Sequence, residues 1–179
     1  MYGIDTSIRV FNEQNVLCAG VHGSDRSAVD PKDSVTWIEV NGIKIAVLAY
    51  TDTLNGMALP KEHPYAVETF KDEKRVVESL EYARARADAV IVYVHWGDEY
   101  ADVANERQRY LAGVLSKHGA DAVIGCHPHV IQEIEQIDET IVYYSLGNFL
   151  SGQDREGCKE GLLAKLTICK KANGEVIIL

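Results

Sequence analysis

At 179 residues, with 46% hydrophobic and 25% charged content, the chain is long enough for one domain with a real core and has the composition of an ordinary globular protein. Its formal net charge of −9 argues against non-specific binding to nucleic acid or to an anionic membrane, since both need basic patches and Lys170-Lys171 is too short a run to supply one. No apolar stretch is long enough to span a bilayer and no signal-peptide pattern opens the chain, which leaves its location unknown.

Taken in order, Thr6 to Gln14 has helical spacing with Ile8 and Phe11 on one side, and Asn15 to Val21 reads as a strand entering a loop at His22, a plain loop histidine. Val35–Val40 and Ile43–Tyr50 flank Asn41-Gly42, a strong short hairpin signal, and the second run is apolar enough for a central strand. Residues 51–66 form a long loop containing His63 before a proline; loops of that length usually carry function or mobility. Thr69 to Ala87 is an amphipathic helix whose charged side is a solvated face. Ala89–Val94 is a strand ending in His95-Trp96-Gly97, and Asn105 to His118 a second helix stopped by Gly119. His118 suits the last helical turn and reads as structural. Val130–Glu135 and Thr140–Ser145 are strands joined by a short polar turn, and Leu162–Cys169 and Glu175–Leu179 close the chain as another pair. The four cysteines, Cys18, Cys126, Cys158 and Cys169, have no CxxC pairing and read as reduced.

The stretch around which the rest is organised is Asp121 to His129. Ala122, Val123 and Ile124 make a short apolar run of the kind a parallel sheet buries. Gly125 ends it with a tight turn, and Pro128 stiffens the loop and biases His127 toward an extended conformation. His127 and His129 then stand at the carboxyl end of a strand, where open α/β sheets bind ligands, and Cys126 beside them is a candidate soft ligand. The helix from Asn105 to His118 is the crossover between the strand ending at His95 and this one, so His95, His127 and His129 converge on one edge of a mixed α/β sheet. Three convergent imidazoles point to metal binding or catalysis. Asp98 and Glu99, just past His95, are candidates for orienting a ligand or acting as general base; Asn148, after Gly147, is a candidate to line the cleft or to serve as a turn residue. Trp96 packs or lines the same cleft.

Three segments then make a specific resemblance: His95-Trp-Gly-Asp-Glu-Tyr100, Gly119-Ala-Asp-Ala-Val-Ile-Gly-Cys-His-Pro-His129 and Tyr144-Ser-Leu-Gly-Asn-Phe149, with Gln108-Arg-Tyr-Leu-Ala112 between the first two. In this order they resemble the bacterial capsule-synthesis CapA, or poly-γ-glutamate biosynthesis, family, which is similar to calcineurin-like metallophosphoesterases. The resemblance implies a layered α/β/β/α sandwich. It implies metal ligation by His95, His127 and His129, or a substrate contact from one of the last two, with Asn148 lining the cleft; beside these, His95, His129 and Glu99 are the catalytic candidates and Trp96 and Asp98 further candidates along the substrate cleft. The family's early Gly-Asp and Asn-Asn-His segments are missing, so residues 1–179 are expected to form one partial domain, its second half. A single weakly held Mn, Fe or Zn ion is then expected in place of a two-metal clamp, or none in this part alone. The implied activity is metal-dependent hydrolysis of a phosphoester or acyl group within capsule synthesis, with a phosphoester or anionic polymer as substrate. The alternatives are a non-catalytic polymer-binding or assembly module and an inactive partial domain that forms a homodimer through an apolar edge. Many relatives imply an outward-facing, membrane-anchored parent protein.

Overall fold

Asn41 and Gly42 both take positive φ, 53° and 73°, the backbone a two-residue hairpin turn needs to match the twist of its strands. They join β1 (Thr36–Val40) to β2 (Ile43–Thr51) in antiparallel register, Val40 opposite Ile43. The computed structural model describes residues 1–25 and 29–179. From β2 the chain alternates: α2 (Glu73–Arg84), β3 (Ala89–His95), α3 (Glu106–Lys117), β4 (Ala122–Cys126), then β5 (Ile134–Ile137) and β6 (Thr140–Tyr143). α1 (Tyr2–Glu13) precedes β1, and β7 (Ile168–Lys170) with β8 (Val176–Ile178) forms a separate two-stranded ribbon.

The main sheet has six strands in the order β1-β2-β3-β4-β6-β5. β2, β3, β4 and β6 run parallel, and the flanking pairs are antiparallel hairpins. This is the expected α/β arrangement, a mixed sheet with helices packed against it, beside which β7 and β8 form a separate two-stranded sheet. Alternation along each strand divides the main sheet into two unequal faces. Ala46, Leu48 and Tyr50, Val90, Val92 and Val94, Val123, and Val142 with Tyr144 are buried in one cluster with Val76, Leu80 and Ala83 of α2 and Leu111, Ala112 and Leu115 of α3. Each such aliphatic side chain contributes on the order of 1.5–3 kcal/mol by leaving water. On the opposite face Val47, Ile91, Ile124, Ile141 and Tyr143 are only half-buried, and Tyr93 is 44% exposed.

Several sequence expectations change. Residues 15–21 form no strand; Val21 makes only an isolated bridge to Val67. The helix expected over 6–14 begins at Tyr2 and buries no residue, which a stripe as narrow as Ile8 and Phe11 explains. α3 starts where expected because Asn105 caps it: the Asn105 side chain accepts from the Gln108 amide while the Gln108 side chain accepts from the Asn105 amide. His22 is no plain loop histidine. It is buried, its Nε2 lies 2.9 Å from Glu68 Oε1, and Glu68 also accepts from Arg75 and Ser34. This latch ties the segment after α1 to α2. No helix among the described residues is long and apolar enough to cross a membrane.

Candidate metal centre

The parallel pairing of β3 with β4 sets His95 opposite Cys126, so His127 emerges beside His95 at the carboxyl edge of the sheet. The ring centroids of His95 and His127 are 4.3 Å apart, and those of His127 and His129 are 6.0 Å apart. The three imidazoles therefore meet as the crossover argument requires. Gly125 makes this possible by close approach rather than by a turn. It lies within β4, and a Cβ there would sit 2.0 Å from the Tyr144 carbonyl oxygen and 2.4 Å from Trp96 Nε1. Through that gap Trp96 Nε1 donates to the Tyr144 carbonyl at 2.8 Å. Trp96 is fully buried and stacks on Tyr144, so it fixes the strand ends from beneath and offers no surface to a substrate cleft.

The backbone bearing the histidines is strained. His127 has φ 102° and His129 φ 63°, so His127 is not extended as its place before a proline suggests. Tyr100 also has positive φ, at 67°. Among the described residues, the other non-glycine positions of this kind are Asn15, Asn41, Asn55 and Asp138, types that tolerate the left-handed region in turns. Hydrogen bonds hold the strained loops together: the Tyr100 amide donates to the Pro128 carbonyl at 2.7 Å, and the Trp96 amide to the Cys126 carbonyl at 3.1 Å.

Glu99, His127 and His129 each bring one donor atom, and these atoms lie within 4.8 Å of one another. His95 stands beside this trio rather than within it. Its Nδ1 is 3.1 Å from Thr51 Oγ1, whose own hydrogen is directed to the Thr53 carbonyl; the imidazole therefore donates from Nδ1 and leaves Nε2 with a free lone pair. His129 is prepared in the same way. Its Nδ1 is 3.0 Å from Asn148 Oδ1, and the Asn148 amide nitrogen donates to the Cys158 carbonyl and to Gln153 Oε1. A carbonyl can only accept, so the Asn148 oxygen must face His129, Nδ1 carries the hydrogen, and Nε2 is free to ligate. Burial, followed by the like charge of His127, pushes the His95 pKa below the ordinary 6.5. Burial does the same for His127, against the opposing pull of Glu99. In both rings burial thus favours the neutral form that binds metal.

Several candidates lie elsewhere. Asp98 accepts from Asn105 Nδ2 at 2.7 Å and braces the start of α3. Cys126 faces Tyr93, burial raises its thiol pKa, and it stands outside the trio. His118 meets Glu81 at 3.0 Å, the structural role expected of it, and His63 lies near Asp5. A concavity of about 650 Å³, lined by Asp5, Ile8, Arg9 and Asn12 against Gly23–Asp25, is away from the imidazoles. Sequence reasoning missed Thr51, Gln153 and the ring of Tyr100, which stacks on His129 at 5.9 Å. The signal for Thr51 was present, since it ends the strand neighbouring His95; the loop partners Gln153 and Cys158 carried no periodicity by which to find them.

Residues 1–153 match the family model described as bacterial capsule synthesis protein PGA_cap. The chain is 34% identical over 173 residues to the PGA biosynthesis protein CapA of Bacillus subtilis (strain 168), covering 96% of this chain and 44% of that protein. It is 31% identical over 179 residues to the capsule biosynthesis protein CapA of Bacillus anthracis, covering 98% of this chain and 42% of that one. The chain thus spans less than half the length of these relatives. Among solved structures, a putative 5′-nucleotidase from Staphylococcus aureus superposes with a TM-score of 0.54 at 17% identity, over 92% of this chain and 31% of the other, a likeness of fold.

Proposed function

This chain belongs to the bacterial capsule synthesis protein PGA_cap family, and from that premise we propose that its sheet edge is the imidazole-bearing part of a metal-dependent hydrolytic site acting in capsule or poly-γ-glutamate synthesis. The observation that carries this is the trio Glu99, His127 and His129 with the His129 Nε2 freed by Asn148. Two imidazole nitrogens and a carboxylate suit a borderline divalent ion such as Zn²⁺, Mn²⁺ or Fe²⁺. When bound, such an ion would polarise a phosphoryl or acyl group and lower the pKa of a water. The protein's own part is to present Glu99, His127 and His129 from strained, hydrogen-bonded loops and to hold a neutral His95 alongside. His95, with its Nε2 lone pair unengaged, is the group proposed to contact substrate or to accept a proton from it. Asn148 supports the site as the orienting partner of His129.

Metal content of the purified chain by plasma mass spectrometry, beside the double variant His127→Ala, His129→Ala, tests the reading. Near-stoichiometric metal in the wild type, lost in the variant, is expected; equal metal content in both overturns it. Phosphatase assays with and without added metal, on this chain and on a full-length relative, then test hydrolysis itself.

A second reading, self-association, is favoured by a specific surface. Phe149 and Leu150 are 96% and 93% exposed next to Asn148, Leu163 is 84% exposed, and the sheet face around Tyr93 is half-covered. Two adjacent apolar side chains held in water at a site's rim are what an interface leaves behind when its other side is absent. Light scattering across a concentration series should show mass above the monomer; a strict monomer at high concentration overturns this reading.

A further inference from the structure

Tyr100 is tied to His129 by more than the stacking of its ring. A hydrogen-bond chain leaves His129 and ends on the Tyr100 hydroxyl, and its direction is fixed at every link. The Cys158 carbonyl accepts from Asn148 Nδ2 at 3.0 Å, so that amide cannot be reversed. The same nitrogen donates to Gln153 Oε1 at 2.9 Å, and Ser151 Oγ donates to that oxygen too. With its oxygen so engaged, Gln153 presents Nε2, which donates to the Tyr100 hydroxyl oxygen at 3.2 Å. The phenol is therefore an acceptor inside the protein, and its own hydrogen is directed to no protein acceptor among the described residues. Arg155 also lies 4.2 Å over the Tyr100 ring and adds positive charge. A positive φ at Tyr100, and the bond from its amide to the Pro128 carbonyl, fix the residue against the loop that carries both histidines.

We propose that Tyr100 is a ligand-contacting residue whose free O–H donates to an anionic phosphoryl oxygen bound beside Glu99, His127 and His129, and that Gln153 is the positioning residue that aims it. The inference rests on the metal-site reading above and adds the group that recognises the ligand. A tyrosine whose oxygen already accepts from an amide has its hydrogen left to offer, and the ring that carries it stacks on His129 of the donor trio and follows Glu99 in the chain.

The test uses the 179-residue chain at saturating Mn²⁺, with inorganic phosphate as the probe and calorimetric titration as the readout. Tyr100→Phe keeps the ring, its stacking on His129 and its contact with Arg155, and removes only the hydroxyl. Mn²⁺ affinity is expected to stay within about twofold, while phosphate affinity falls at least about tenfold, as for loss of a hydrogen bond to a charged acceptor. Gln153→Met should weaken phosphate binding more in the wild-type background than in the Tyr100→Phe background, because the part of its effect that passes through the hydroxyl is absent from the second while its contact with Asn148 is lost in both. A merely structural role for Gln153 would weaken binding equally in both. Unchanged phosphate affinity in Tyr100→Phe overturns the proposal and leaves the metal site standing, and so does a Mn²⁺-loaded wild type that binds no phosphate. A wild type that binds no Mn²⁺ overturns the metal-site reading and this proposal with it.

Discussion

Gly125→Ala is the sharpest perturbation of the scaffold beneath the histidines. A methyl group there would stand 2.0 Å from the Tyr144 oxygen, 2.8 Å from its carbonyl carbon and 2.4 Å from Trp96 Nε1. None of these is the loose end of a flexible side chain, so β4 must move away from the end of β6 or the indole must leave its place. Overpacking of this kind costs about 1–3 kcal/mol. Displacing Trp96 leaves its buried N–H and the Tyr144 carbonyl without each other, a further loss of about 1–3 kcal/mol. The combined loss is about 4 kcal/mol, a large share of the roughly 5–15 kcal/mol that keeps a domain folded, and corresponds to about 8–16 °C in Tm at this chain length. Thermal and urea melts followed by circular dichroism measure it, and tryptophan fluorescence reports the loss of the Trp96 hydrogen bond. Gly113→Ala is the control: nothing lies within 4 Å of its added Cβ, and in the middle of α3 it should stabilise by about 0.5–1 kcal/mol. A Gly125→Ala variant within about 1 kcal/mol of the wild type would refute the close-approach argument.

Asn148→Ala should leave the fold intact and weaken metal binding about 10–100-fold, the usual loss when the partner of a ligating histidine is removed; competition titration with a chromophoric chelator measures it, and unchanged affinity would remove Asn148 from the site. Protonation of the His127 ring should set in below the ordinary histidine range, because burial lowers its pKa; an NMR titration of that ring already under way at about pH 7.5 would contradict this. Burial alone would raise the Glu68 carboxyl, but hydrogen bonds from His22, Arg75 and Ser34 outweigh it and bring the pKa from 4.5 down to about 2. That depression contributes on the order of 3 kcal/mol, fully present above the unfolded value and lost as pH falls toward the folded one. Glu68→Gln should therefore lower stability at pH 7 by about 3–5 kcal/mol, since Arg75 is left buried without its counter-charge, and should flatten the acid limb of the stability curve; equal stability at neutral pH would show the latch to be dispensable.

What the sequence disclosed about this fold follows from how local each signal is. Asn41-Gly42, the apolar runs of β2, β3 and β4, and the helix beginning at Asn105 are statements about neighbouring residues, and each appears where it was expected. The meeting of His95, His127 and His129 needed one further step, a crossover between parallel strands, which the order of elements supplied. Glu99 was visible as a carboxylate near His95, but its place in the trio beside His127 and His129 depends on the turn at Tyr100, whose positive φ no residue type announces. The segment around His22 was misread because its partners are far away in sequence: Glu68 is 46 positions on, and a single histidine in a glycine-containing loop gives no sign of a buried carboxylate waiting for it. Gly125 was recognised as special for the wrong reason, since a glycine needed for close approach and one needed for a turn look alike without the neighbours.

The three strained residues make physical sense only together. Each left-handed non-glycine residue costs on the order of 1–3 kcal/mol, and Tyr100, His127 and His129 all bear it on two loops that hydrogen-bond to each other. Relaxing any one would swing its side chain out of the cluster: the His127 ring away from His95, the His129 ring away from Asn148, the Tyr100 hydroxyl away from Gln153. The energy to hold them comes from beneath, where Trp96, Tyr144 and the valines of β3 and β4 are buried, and from the side, where Cys158 and Gln153 fix Asn148. A loop that served only to connect β4 to β5 would have no use for that strain. A loop that must aim two imidazole nitrogens and a carboxylate at one point does, because donor atoms that are already placed lose little freedom when a ligand arrives.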